Sequence, residues 1–373
     1  MGQAECELEF AVRKSQLMAQ TKMESNNRIQ VATIGAFGHW PFVLDEIAGM
    51  SEVKLVAAAP SVAGEDVRSI ASHRAAPKDL AVFDTHRSLI KKVRPDIVIV
   101  SCRLDCISGI AMEAAHAGCD IICEKPLALS MRALENLYRT ISVNRVRLMA
   151  MLNMRADPVF QTARRLYQSG VIGEIVLANV RKSYKYGTRP DWFGSRKTYG
   201  GTMLWVGIHA LDMIQFITGR SFTSVAAIQR NFGHPQRPDC EDCIAAILGL
   251  DNGAAATISV DLFRPEQAAT HGDDWIRIVG TLGTIEASSK NAAVRVVKDN
   301  GEGEKIPLDS RRPLYRPFIL GETPEDALVK PDDPFLLTHA CLCARDAADA
   351  GEFRRIPSAS WFKKPPLPIG APS

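Results

Sequence analysis

The sequence predicts an α/β fold: an N-terminal doubly wound parallel sheet, then an α+β domain built on an open, mostly antiparallel sheet. Three observations carry this expectation. From Arg28 to Met151 short apolar runs alternate with helical patterns, as in strands joined by crossover helices. Past Asn153 the apolar runs lengthen and follow one another through turn sequences such as Asp251-Asn252-Gly253 and Gly280-Thr281-Leu282-Gly283. At 373 residues the chain is also too long for one ordinary core and suits two domains.

In the first half the strands are expected at Ile29 to Ile34, Val53 to Ala58, Asp96 to Ser101, Asp120 to Cys123 and Val146 to Met151. Helices are expected near Phe42 to Ala48, Glu65 to His73, Arg87 to Val93, Ile107 to Ala117 and Met131 to Ser142. In the second half a helix from Pro158 to Ser169 leads to the strand Ile175 to Val180. Longer runs follow at Val225 to Arg230, Ile244 to Leu250, Ala254 to Asp261, Trp275 to Val279, Thr284 to Ala287 and Ala293 to Val297, and a last helix spans Phe335 to Ala350. The expected divisions are an extension over 1–27, a nucleotide-binding domain over 28–151, a substrate and oligomerisation domain over 152–356, and a loose tail over 357–373.

A composition 46% hydrophobic and 23% charged is that of a globular protein. The net charge of +3 is spread without a basic block, which argues against nucleic acid as a partner and leaves small polar molecules. Nine cysteines with no secretory signal point to reduced thiols and a cytoplasmic location. Cys240 and Cys243 have metal-like spacing but no second pair, so a strand start is expected there and no metal. No apolar run reaches the ~18 residues that a membrane span needs.

The first expected strand runs into Gly35-Ala36-Phe37-Gly38-His39-Trp40. A strand, a tight small-residue turn and a helix N-terminus together form the Rossmann arrangement, in which backbone amides meet a pyrophosphate. Gly35 suits the first glycine of that turn; Phe37 and Trp40 stand where small residues are usual, with Gly38 between them. His39 and Trp40 either cover the phosphates or pack on the adjoining domain. The tip of the second strand, Ala59-Pro60-Ser61, has no acid for a ribose 2′-hydroxyl, so NADP is expected to bind at least as well as NAD. Glu65 and Asp66 read as first-turn acids of the following helix.

Two further stretches carry the chemistry. Cys123-Glu124-Lys125-Pro126 closes the fifth strand at its C-terminal edge, where ligands bind in open α/β sheets. Some eighty residues on comes Tyr199-Gly200-Gly201-Thr202-Met203-Leu204-Trp205-Val206-Gly207-Ile208-His209-Ala210-Leu211-Asp212. With these segments the chain resembles the glucose-fructose oxidoreductase / inositol dehydrogenase / rhizopine-catabolism (Gfo/Idh/MocA) family, from about Arg28 to about Pro357.

That resemblance implies an oxidoreductase using NAD or NADP on a sugar, inositol or related polyol. Lys125 and His209 would be the catalytic pair over the nicotinamide, Lys125 exchanging the hydroxyl proton. Gly35, Phe37, Gly38, His39, Trp40, Ser61, Ser101, Cys102, Glu124, Lys125 and Asn153 would line the cofactor, and Arg155, Trp192, Trp205 and His209 the substrate. Arg155 also reads as an interdomain salt-bridge partner. In relatives an aspartate stands at the position of Trp205; an indole cannot replace its acceptor function but can stack on a sugar ring. Two alternatives follow from this departure: a non-catalytic nucleotide-dependent sensor, or an enzyme using tightly held NAD transiently for elimination or glycoside cleavage. The open sheet implies a homodimer or homotetramer. His271-Gly272-Asp273-Asp274-Trp275 is expected to be a solvated hairpin loop.

Overall fold

The computed structural model describes residues 28–298, 303–322 and 324–358, so the expected extension and all but the first two residues of the expected tail lie outside it. Strands β1 (Ile29–Ile34), β2 (Val53–Ala59), β3 (Ala81–Val82), β4 (Ile97–Val100), β5 (Asp120–Cys123) and β6 (Leu148–Ala150) form a six-stranded sheet in the order β3-β2-β1-β4-β5-β6. Every pairing in it is parallel. The order reverses between β1 and β4, and the crevice beyond that point is where such sheets bind ligands. The central strand β4 is buried along its whole length, which is why Ile97-Val98-Ile99-Val100 carries no polar alternation.

The helix after β1 runs Trp40–Ile47 with Pro41 in its first turn, two residues earlier than expected, because the fixed φ of proline suits a helix start. The helix expected over Glu65 to His73 shrinks to Arg68–Ala71, leaving Glu65 and Asp66 in the preceding turn. The two-residue β3, exposed at the sheet edge, was not foreseen.

The second sheet holds β7 (Ile175–Tyr184), β8 (Phe222–Arg230), β9 (Cys243–Leu250), β10 (Ala255–Asp261), β11 (Gly272–Gly280), β12 (Gly283–Ser288), β13 (Ala293–Val297), β14 (Glu304–Ile306) and β15 (Arg354–Arg355). Its order is β14-β13-β12-β11-β7-β10-β9-β8-β15, antiparallel except between β7 and β10. The helices Ile208–Thr218 and Asp333–Ala350 pack on its inner face against β7 and β8. All eleven residues of the former are buried.

Two late segments return to the first domain. Glu46 accepts the N–H groups of Leu314, Tyr315 and Arg316 at 2.8, 2.8 and 2.9 Å. Thr338, on the long helix, accepts the Leu127 N–H at 3.2 Å, two residues beyond Lys125. No described helix is long and apolar enough to cross a membrane.

Candidate active site

The turn after β1 is built by close approach. Gly35 has φ +79, and a Cβ there would lie 2.5 Å from the Ser101 carbonyl oxygen; Gly38 has φ +91, and a Cβ would lie 2.2 Å from Glu124 Oε2. Neither position admits a side chain. The Phe37 N–H donates to the Ser101 carbonyl at 2.9 Å, and the Ser101 hydroxyl donates back to the Phe37 carbonyl at 2.5 Å. Cys102 is buried beneath Gly35, and burial pushes its thiol well above the usual range. The helix Trp40–Ile47 then starts without a side-chain cap, the arrangement that receives anions.

Two carboxylates flank this turn. Glu124 accepts the His39 N–H at 2.7 Å and lies 2.8 Å from its Nδ1. Burial opposes its ionisation, but His39 and Lys125 outweigh that and hold the carboxyl below its usual range. Glu65 accepts the Ala36 N–H at 2.9 Å and both the N–H and hydroxyl of Ser61, at 2.7 and 2.6 Å. This corrects the reading of Glu65 as a first-turn helix acid. The chain doubles back after Pro60, so an acid beyond the strand tip reaches the place where a ribose diol meets a dinucleotide fold.

Uncapped helix, paired glycines and an acid at the tip of β2 fit an adenine dinucleotide. Trp40 does not cover the phosphates, because its indole is buried edge-on against His73, 5.7 Å away. Phe37 turns into the interdomain cleft, 4.8 Å from Trp192, 5.4 Å from Trp205 and 6.0 Å from Phe193 between ring centroids.

Lys125 follows β5, joined to Pro126 by a cis peptide, and is buried. Its Nζ donates to the Trp205 carbonyl at 2.8 Å and lies 3.4 Å from the centroid of the same indole. Burial pulls its pKa down to about 7; Glu124 opposes this and Lys182 adds to it. His209, in the first turn of Ile208–Thr218, is held neutral by burial first and then by Lys125, Lys182 and His39. Its Nδ1 is buried without a partner, and its ring lies 6.2 Å from that of His39. The structure thus brings Lys125, His209, Glu124, His39 and Trp205 together at the cleft.

Trp205 sits in a π-helical turn, Met203–Gly207, of the kind that recurs at functional sites. The turn is fixed by Glu241, which accepts the Thr202 N–H at 2.9 Å and pairs with Arg196. Asp242 accepts the amides of Phe232 and Gly233. The acids between Cys240 and Cys243 therefore hold loops, and Cys243 opens β9.

Asn153 accepts a hydrogen bond from the Tyr315 hydroxyl, while its Nδ2 is buried and unpartnered. Arg155 is built into the salt-bridge network that was the other reading of it: it is buried, paired with Asp212 at 2.6 Å and with Asp333, and donates to the Leu328 carbonyl. A guanidinium committed to two acids and a carbonyl has little left for a ligand.

Sequence reasoning missed the buried pair Lys182 and Asp274, 2.7 Å apart, with the Tyr184 ring 4.7 Å from Nζ. The strand β7 was expected to stop at Val180. Continuing the alternation Ala178, Val180 places Lys182 on the same buried face, and Ile278, Ile276 extends likewise to Asp274. His271 to Trp275 is correspondingly no solvated hairpin: β11 starts at Gly272.

Residues 29–152 match the family model described as an oxidoreductase family with an NAD-binding Rossmann fold, and residues 160–286 match the GFO/IDH/MocA C-terminal domain. The chain belongs to the Gfo/Idh/MocA oxidoreductase family. It is similar to inositol 2-dehydrogenase of Rhizobium meliloti, 28% identical over 60% of this chain and 64% of that protein. It is likewise similar to the rhizopine catabolism protein MocA of Rhizobium meliloti, at 23% over 56% and 64%. The chain thus spans slightly less than two thirds of the length of these curated relatives. Among solved structures, one of a putative oxidoreductase from Thermotoga maritima superposes with a TM-score of 0.81 at 32% identity, covering 87% of this chain and 99% of that one. Levoglucosan dehydrogenase in complex with NADH shares the fold, with a TM-score of 0.75 at 16% identity over 89% and 100%.

Proposed function

We propose that this protein is an NAD-dependent dehydrogenase that oxidises a carbinol carbon of a sugar, inositol or related polyol. The observation that carries the reading is Lys125: a buried lysine with a pKa of about 7 at the C-terminal edge of β5, across the cleft from a neutral histidine. A general base works best with its pKa near the working pH, and few lysines outside catalysis meet that condition.

Glu65 and Ser61 would hold the adenosine ribose, the turn from Gly35 to His39 the pyrophosphate, and Glu124 the nicotinamide end, with Lys125 beside it. Bound there, the nicotinamide supplies the hydride acceptor. Neutral Lys125 takes the hydroxyl proton as the carbinol C–H bond breaks and the carbonyl forms. His209 Nδ1, buried and unpartnered, offers the hydroxyl a second contact. Phe37, Trp192 and Trp205 exclude water and give an apolar face to a ring.

A second reading, a nucleotide-responsive protein without turnover, is favoured by the Trp205 indole lying over Lys125 Nζ. Following NADH formation across a panel of polyols and sugars separates the two. Turnover in the wild type that falls in Lys125→Ala supports the dehydrogenase; nucleotide binding with no turnover of any panel member, or equal turnover of the two proteins, overturns it.

A further inference from the structure

The loop between β7 and the short helix Arg196–Tyr199 carries a cation that nothing above uses. The Arg189 guanidinium carbon lies 4.8 Å from the Tyr186 ring centroid and 5.2 Å from that of Phe193. Phe193 belongs to the aromatic wall of the cleft, 6.0 Å from Phe37 and 6.3 Å from Trp205. Among the described residues Arg189 has no ion-pair partner, and its Nε is buried without a hydrogen-bond acceptor. Leaving a partly desolvated guanidinium unpaired is costly unless something else supplies the anion.

The acids nearest this loop are engaged elsewhere: Glu266 accepts the Gly187 N–H at 3.2 Å, and Asp191 pairs with Arg237 at 3.4 Å. Lys182 already neutralises Asp274, whose second oxygen, Oδ1, is buried and free of partners. The His271 ring lies 4.8 Å from that of Tyr184, tilted against it; partial burial first, then Arg189 and Lys185, lower its pKa, while Asp274 and Glu266 oppose the shift. Glu124 is taken up by His39. At position 205 an indole faces the cleft and brings no charge. The wall thus offers, among the described residues, a guanidinium without an ion-pair partner backed by aromatic rings, a carboxylate oxygen without a hydrogen-bond partner, and the His209 imidazole, whose pKa burial holds well below its usual value.

We propose that the substrate is a sugar acid, a polyol bearing one carboxylate, with that carboxylate on Arg189 and hydroxyl groups toward Asp274 Oδ1 and His209. A planar guanidinium stacked on rings presents a fork that matches a carboxylate in geometry and charge. The ring-backed single cation suits a monoanion better than a phosphate ester, which would bring close to two negative charges. The inference rests on the polyol reading above and names the class of polyol.

The test measures binding and turnover separately on the full chain. Calorimetry on NADH-loaded protein would compare glucuronate, galacturonate and gluconate with glucose, galactose, inositol and glucose 6-phosphate. At least one acid should bind tenfold or more tightly than its neutral parent, and added salt should weaken it. Arg189→Gln should remove roughly 10- to 100-fold of that preference, the worth of a charge-assisted contact; Arg189→Lys should restore part of it. Retained NADH affinity in both variants shows that the fold survives. Acids bound no more tightly than neutral parents, an unchanged preference in Arg189→Gln, or a phosphate ester bound tightest each overturn the proposal. Preferred oxidation of neutral polyols sinks this inference and leaves the dehydrogenase standing, whereas tight binding of acids with no NADH formed does the reverse.

Discussion

Lys125 shows how one residue is tuned by what it is denied. Burial removes water from its ammonium, and the field of Lys182 adds to the cost, so the amine is half deprotonated at about pH 7. The sign follows directly: the base must be neutral, so kcat/KM for oxidation should climb as pH rises through about 7 and then level off. Lys125→Ala should lose that limb and lower turnover by roughly 10² to 10⁴-fold, with NAD affinity nearly unchanged; a pH–rate profile and a cofactor titration on both proteins check this. Trp205→Asp tests the indole next to it. If Trp205 stacks on the ring, the substrate KM should rise sharply; activity preserved or raised would instead mark the indole as a loss. Glu65 sets the other end. A carboxylate bonded to Ser61 and to the Ala36 amide, at the proposed ribose site, would repel a 2′-phosphate, so the wild type should prefer NAD, against the expectation drawn from the bare tip of β2. Glu65→Ser should shift the NADP to NAD affinity ratio at least tenfold toward NADP, about 1.4 kcal/mol. Calorimetry that finds the wild type binding both cofactors equally would end this assignment.

At the level of elements, Arg155 joins the start of the second domain to the helices Ile208–Thr218 and Asp333–Ala350 through Asp212 and Asp333. Removing the guanidinium leaves two acids facing one another with Asp212 fully buried. Arg155→Leu should cost about 3–5 kcal/mol, read as a fall in Tm, and adding Asp212→Leu should recover part of it. A variant as stable as the wild type would show that the pair contributes nothing. These helices and the strands they cover were legible because they are periodic. The bounds of β1, β5 and β13 follow from their apolar runs alone, and the glycine turn and Lys125 follow from placement at strand ends. What the sequence hid has a common cause: a charged residue on a buried face looks like the end of a strand. Lys182 and Asp274 were lost in that way, and with them the end of the alternation in β7 and the start of β11, while Ile175 to Val180 and Trp275 to Val279 were expected. Glu65 was lost for a different reason, since its distance from the tip of β2 is closed by a turn that no local pattern announces. Arg155 was ambiguous because both its partners lie far along the chain, at Asp212 and Asp333.

For the whole molecule the decisive feature is a large sheet that, among the described residues, has helices on one face only. Helices pack against β7 and β8 from inside, while outside the registers Ala226–Ile247–Thr257 and Ile228–Ala245–Ser259 form rows of small and apolar side chains across β8, β9 and β10. Ile228 is 66% exposed and Ile247 60%, and Phe232 and Phe353, also exposed, add to the apolar surface. Exposed apolar rows running across neighbouring strands commonly mark a site of protein association. A sheet face that repeats identically on each copy suits an isologous contact, in which the same patch meets itself across a two-fold axis. The protein should therefore run in light scattering at twice its 40.8 kDa or a higher even multiple at micromolar concentration. Replacing both isoleucines, Ile228→Glu with Ile247→Glu, places like charges opposite one another across that axis and should yield monomers without loss of NAD binding, because neither side chain reaches the cleft. A wild type that elutes and scatters as a monomer would show that the outer face is left to solvent.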